Sequence, residues 1–314
     1  INLEEKATGE IFAGVGPGTD GSSFAFGVKE NNYLGRGVKL DANLKVSEER
    51  VKGRFLVSNP NYNNSDKNLD LSLEATSIDR LGTSGYKSDV TGFSIGTQFE
   101  YLDDLSFGLS TRNTIEKIDV DASASTRQKK QKGNYFDSYL GLDFLYDKRN
   151  QKYQTTSGFF SNYNINLPVL SDTNTLTNVY NYKVFKEMYE NNVSTLSFLF
   201  KSASSLTSDD IKLSERLYIP GKKLRGFESG KIGPKDGSDY IGGNYVSSIN
   251  ATTTVPMILE NVQNVDIVLF ADAANIWGVD YDSSLDKSGI RSSIGIGIDW
   301  LTAVGPLTLS LIHI

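Results

Sequence analysis

Cysteine is absent from the 314 residues, which removes disulfides, zinc–thiolate centres and thiol catalysis together. Histidine occurs once, as His313 near the very end, so no histidine triad, general base or histidine metal cluster can form. Long apolar runs are missing as well: none approaches the ~18 residues that a membrane-spanning helix needs. Positive charge is not in excess. The net charge of -6 supplies no broad basic field, and nucleic acid is not expected as a partner. The Gly14-Val15-Gly16-Pro17-Gly18 stretch leads into turn residues rather than a helix, so it is no phosphate loop. Neither an enzymatic activity, a metal nor a cofactor is expected. The opening Ile1-Asn2-Leu3-Glu4-Glu5-Lys6 is charged and has no apolar core, unlike a signal peptide; a cytosolic protein or an internal piece of a processed precursor would both begin this way.

Proline (7) and methionine (2) are scarce, whereas glycine (29), tyrosine (16) and phenylalanine (16) are plentiful. Hydrophobic residues make up 38% of the chain and the mean hydropathy is -0.32. A membrane barrel has this balance, because alternate strand residues face lipid and the others a wet interior. Aromatic girdles and glycine-relieved strands would produce the aromatic and glycine excess.

Period-two alternation runs the length of the chain, and no long stretch has helical apolar spacing. Phe24, Phe26 and Val28 form one such set; Leu69, Leu71 and Leu73 another; Phe93, Ile95, Thr97 and Phe99 a third. Later sets are Leu140, Leu142 and Phe144; Leu196, Phe198 and Phe200; Val265, Ile267 and Leu269; and Ile294, Ile296, Ile298 and Trp300. Small or polar residues lie between the members, such as Asp70 and Ser72, or Gly295 and Gly297. One face of each strand is therefore apolar and the other small or polar. A lipid-facing outside with a hydrated inside fits, and so does a half-buried soluble sheet. Turn-rich segments of unequal length separate the strands, for example 59–66 and 125–129. An antiparallel up-and-down meander is predicted.

The longest interruption runs from about Tyr218 to Tyr245 and contains Arg225-Gly226-Phe227. A loop this long needs a reason in a compact domain. It resembles the loop between the eleventh and twelfth strands of barrels in the bacterial surface antigen superfamily. Three further segments resemble that family in the expected order: Asn32-Tyr33-Leu34-Gly35-Arg36-Gly37, Asp147–Gly158 (with Thr155 where proline is usual), and Phe270–Gly278.

The resemblance implies an all-β transmembrane barrel over residues 8–314, with about 15 strands of an expected 16 and the chain stopping short of the closing strand. Residues 1–7 resemble the tail of a preceding periplasmic POTRA domain. It also implies that the loop folds into the barrel, where Arg225 reaches Asp272 on the inner wall. Asn250 stands where relatives often carry Glu, so the arginine is expected to rest on one carboxylate and a neutral amide, with Asp272 the stronger partner. The first strand, with Gly9, Ile11, Ala13 and Val15, would form one side of a seam whose free edge can template added strands. The implied function is that of the core of the barrel-assembly machinery in the bacterial outer membrane. Its implied partners are unfolded outer-membrane clients, accessory assembly lipoproteins and the lipid bilayer. A translocation pore of the same superfamily, of the two-partner secretion or autotransporter-assembly type, and a passive porin are the alternatives.

Overall fold

A computed structural model describes residues 8–18, 21–152, 154–190, 192–255, 265–287, 289–302 and 305–314. The POTRA tail expected over residues 1–7 lies outside them. The strands are β1 (Gly9–Gly18), β2 (Gly21–Tyr33), β3 (Val38–Ser47), β4 (Arg50–Asn59), β5 (Leu69–Arg80), β6 (Tyr86–Leu102), β7 (Leu105–Val120), β8 (Gly133–Asp147) and β9 (Gly158–Ser171). They continue as β10 (Thr175–Tyr189), β11 (Asn192–Ser205), a two-residue hairpin pair β12 (Lys235–Asp236) and β13 (Asp239–Tyr240), then β14 (Tyr245–Val255), β15 (Val265–Trp277), β16 (Arg291–Thr302) and β17 (Gly305–His313). All but the small hairpin belong to one 15-stranded sheet in strict chain order, each strand antiparallel to the next. The up-and-down order is the one the alternation predicts, and the fifteen strands are the number the resemblance implies.

Register carries the alternation across the sheet. Leu71 pairs with Val57 on one side and Ile95 on the other, while the next position places Ser72 against Leu56 and Ser94. Leu71, Leu73, Phe93 and Ile95 are exposed, and Ser72 is buried. The bulky side chains thus point away from the structure's interior, the inverse of a soluble sheet, and only a lipid solvent makes that favourable. Polar groups collect inside: Glu74 receives Arg112 Nε at 2.7 Å and stands 3.6 Å from Lys52.

The sheet curls around its own longest connection. The segment between β11 and β14 touches Ser84 beyond β5 through the Tyr218 hydroxyl, β8 at Asp137 through Lys212, and β15 at Asp272 through Arg225. Strands early, midway and late in the meander can meet one loop only if the sheet wraps around it. The loop begins earlier than the sequence suggests, at the end of β11 rather than near Tyr218. Residues 206–217 hold no apolar alternation, but their polar composition masks side chains that are among the most buried in the chain, including Ile211, Lys212 and Leu213.

Two connections show local chemistry setting the path. Ser125 caps a single helical turn (Thr126–Lys130) in a reciprocal capping box with Gln128, where the sequence suggests only an open hairpin loop. Between β8 and β9, Arg149 holds Asp147 through Nε and Nη2 at 2.8 and 2.7 Å, and Asn150 Oδ1 accepts the Thr156 amide at 3.2 Å. Gly158 closes this turn with φ +95°, and a Cβ there would sit 2.0 Å from the Lys148 carbonyl oxygen.

Candidate functional site: the internal loop and its two anchors

The loop tip is built from Leu224 to Phe227. Leu224 is fully buried in an apolar cluster with Ile219, Val246, Ala274 and Ile276, and Phe227 packs against the same cluster. This seat orients the intervening arginine. Arg225 donates to Asp272 three times: from its backbone amide at 3.1 Å, from Nε at 2.7 Å and from Nη2 at 2.7 Å. A planar fork on a carboxylate is the geometry that guanidinium makes and an ammonium cannot. The underside of the guanidinium lies 3.6 Å from the centroid of Phe270, two residues before Asp272 on the same inner face of β15. The Asp272 side chain has no exposed surface, so without Arg225 its charge would be stranded.

Gly226 follows with φ +90°, and a Cβ would meet Ile312 Cγ2 of β17 at 2.8 Å. The tip therefore passes so close to the last strand of the sheet that any side chain at this position would strike it.

Asn250 is Cα partner to Asp272 across β14 and β15. Its amide donates to Asp272 Oδ1 at 2.9 Å and to the Lys223 carbonyl at 2.8 Å. The expected arrangement, with Arg225 resting partly on this amide, needs correction: Asn250 supports the carboxylate and the loop backbone, and its oxygen accepts from Ser197 Oγ at 3.3 Å. A neutral side chain with both donor and acceptor can bridge loop and wall in a way that a second carboxylate could not.

A second anchor lies near the start of the loop and was not among the residues expected from sequence. Lys212, only 2% exposed, lies 2.9 Å from Glu116 of β7 and 3.5 Å from Glu215 in the loop, and it pairs with Asp137 of β8. Ser88 donates to Glu116, and the Tyr139 hydroxyl donates to Glu215. Burial alone would drive Lys212 toward its neutral form, but the surrounding carboxylates outweigh it and hold the ammonium above its usual range. Glu215 moves upward, because its burial outweighs Lys212 and the hydroxyls bonded to it. Arg216, next in sequence, pairs with Asp280, and its Nη1 reaches Asn244 Oδ1 at 3.4 Å. The available signal was parity: Glu116 and Asp137 occupy inward positions of their strands, where two unpaired acids call for a cation.

The expected first-strand residues stand apart from these anchors. Gly9, Ile11, Ala13 and Val15 pair with Glu30, Val28, Phe26 and Phe24 of β2, and Ile11 and Val15 are 76% and 79% exposed. β1 and β17 are the two ends of the strand order.

The chain is similar to known proteins in sequence and in fold. Two curated proteins align with 99% of the chain: the outer membrane protein assembly factor BamA of Neorickettsia risticii, 21% identical over 331 residues, and that of Neisseria meningitidis serogroup B, 24% identical over 374 residues. The chain spans 43% and 45% of their lengths. Among solved structures, BamA from Haemophilus ducreyi lacking POTRA domains 1–3 superposes with a TM-score of 0.88 at 23% identity, over 99% of this chain and 67% of that one. CdiB from Acinetobacter baumannii reaches 0.58 at 10% identity, over 99% and 61%. The fold is thus the β-barrel of these proteins. Residues 32–311 match the Omp85 superfamily domain, and the chain, a 15-stranded meander wrapped around a doubly anchored loop, belongs to that superfamily.

Proposed function

We propose that this barrel is the membrane part of an outer-membrane protein assembly factor, which lowers the barrier for client barrels to enter the bilayer and hydrolyses nothing. The observation that carries this reading is the internal loop, clamped to the inner wall by Arg225 on Asp272 and by Lys212 among Glu116, Asp137 and Glu215. A passive porin needs an unobstructed lumen, whereas these buried ion pairs fix polypeptide inside it. Both curated relatives that align with 99% of the chain are outer membrane protein assembly factors by name, which favours assembly over translocation.

In this reading β1 receives the client. It carries Gly9, Gly14, Gly16, Gly18 and Pro17 in ten residues, a composition that weakens a strand and its ladder. Its backbone groups would pair with an incoming strand, while Ile11, Ala13 and Val15 present apolar side chains to lipid. The clients are unfolded outer-membrane proteins, accessory lipoproteins assist them, and the barrel stands in the bacterial outer membrane.

The test is insertion of a urea-unfolded client barrel into liposomes containing the full-length protein, followed by heat-modifiable migration. Faster client folding than in bare liposomes is expected, with Arg225→Ala losing most of the gain. Folding at the bare-liposome rate, together with a steady planar-bilayer conductance that deletion of the loop leaves unchanged, would overturn the proposal in favour of a porin.

A further inference from the structure

The outer face of the sheet sinks into an apolar groove of about 600 Å³ across β10, β11, β14 and β15. Register explains the depression. Val184, Leu196, Ala251 and Ala271 follow one another as cross-strand partners, so two adjacent alanines form a floor beside bulky neighbours. Leu196 and Leu269 are exposed on this face and wall the groove.

One row farther along, Lys186 is partner to Ser194 and Ser194 to Thr253. All three line the groove, and the two hydroxyls lie 2.9 Å apart. Among the described residues no carboxylate pairs with Lys186. A lysine on a lipid-facing surface is costly unless it reaches the interface or finds an anion. Lys186 sits close to the end of β10 at Tyr189, next to the start of β11 at Asn192. The three longest connections, 206–244, 278–290 and 121–132, leave the opposite rim, so this end is the periplasmic one.

We propose that the groove binds a glycerophospholipid of the periplasmic leaflet. One acyl chain lies over Ala251 and Ala271 between Leu196 and Leu269, and the phosphate accepts from the Lys186 ammonium and from the hydroxyls of Ser194 and Thr253. The charged donor supplies the strong contact and the chain supplies burial. The site depends on the barrel standing in the outer membrane and not on its assembly role.

Native mass spectrometry of the full-length protein in detergent, with added phosphatidylglycerol, tests this. The wild type should retain one phospholipid. Lys186→Ala should weaken retention about fivefold, the effect of one lysine near anionic lipid, while Lys186→Arg keeps it. Ala251→Trp fills the floor and should abolish retention with Lys186 in place. Heat-modifiable migration checks that each variant folds, and Ala271→Leu replaces Ala251→Trp if that variant does not. Unchanged adducts in both the Lys186→Ala and the groove variant overturn the proposal. So does displacement by inorganic phosphate with the groove variant silent, which leaves only an anion site. A wild-type dimer broken by Ala251→Trp would assign the groove to a second copy of the chain instead.

Discussion

Near its start the internal loop is fixed by a lysine among three carboxylates, and near its tip by an arginine on one. The tip anchor is planar and directional: two side-chain bonds and one backbone bond converge on Asp272, and Phe270 lies beneath the guanidinium. It fixes where the tip points. The other anchor is a point charge in a ring of acids contributed by β7, β8 and the loop itself, and it fixes depth more than direction. Their burial differs in the same sense, with Lys212 almost wholly enclosed and the Arg225 side chain 22% exposed. A loop that must stay inside while its tip adjusts would be held in this way.

The largest effect is expected from Lys212→Met, which strands the carboxylates of Glu116 and Asp137 and should lower stability by about 3–5 kcal/mol. The midpoint of urea unfolding measures it. Neutralising the acids as well, with Glu116→Gln and Asp137→Asn, should restore much of the loss. If it does not, packing rather than charge holds this end.

Arg225→Ala should cost less, about 2–4 kcal/mol, because the site is partly wet. Its signature is local: faster protease cleavage within residues 220–240 while β-sheet circular dichroism is unchanged. Arg225→Lys keeps the charge but loses the fork, so cleavage between that of wild type and Arg225→Ala is expected. Equal cleavage in Lys212→Met and Arg225→Ala would erase the distinction between the two anchors.

Gly226→Ala combines a left-handed backbone with a collision against Ile312 and should cost about 1–3 kcal/mol, read in the same cleavage assay. The smallest effect is expected from Asn250→Ala, about 1 kcal/mol for a bridging amide. A loss as large as that of Arg225→Ala would show that the amide is an equal member of the anchor.

Much of the wall was legible in the sequence. Alternation at Leu71, Leu73, Phe93 and Ile95 named the apolar face residue by residue, because a strand sends successive side chains to opposite sides whatever surrounds it; their exposure in the fold makes it the lipid face. The tip anchor was legible only through resemblance of Arg225-Gly226-Phe227 and Phe270–Gly278 to a family, since nothing in local pattern links positions 47 apart. Asn250 does meet the loop, but at the Lys223 carbonyl rather than at Arg225, because which partner an amide takes depends on how the loop backbone lies over it. The Lys212 anchor went unnoticed. Its acids sit on two different strands, with Asp137 75 residues away, and a lone lysine beside loop residues reads as solvated.

The sequence by itself determined which residues share the apolar face of each strand, where the strands turn, and that one connection is too long for a simple hairpin. These follow from period-two geometry and turn chemistry, which act over a few residues. The inward course of this connection and the Arg225–Asp272 pair were legible through resemblance and not through pattern, and only the tertiary structure decided which acids meet Lys212. Those pairings are fixed by sheet curvature and by a register that accumulates over many strands, and a buried charge is stable only where that accumulated geometry brings its counter-charge within reach.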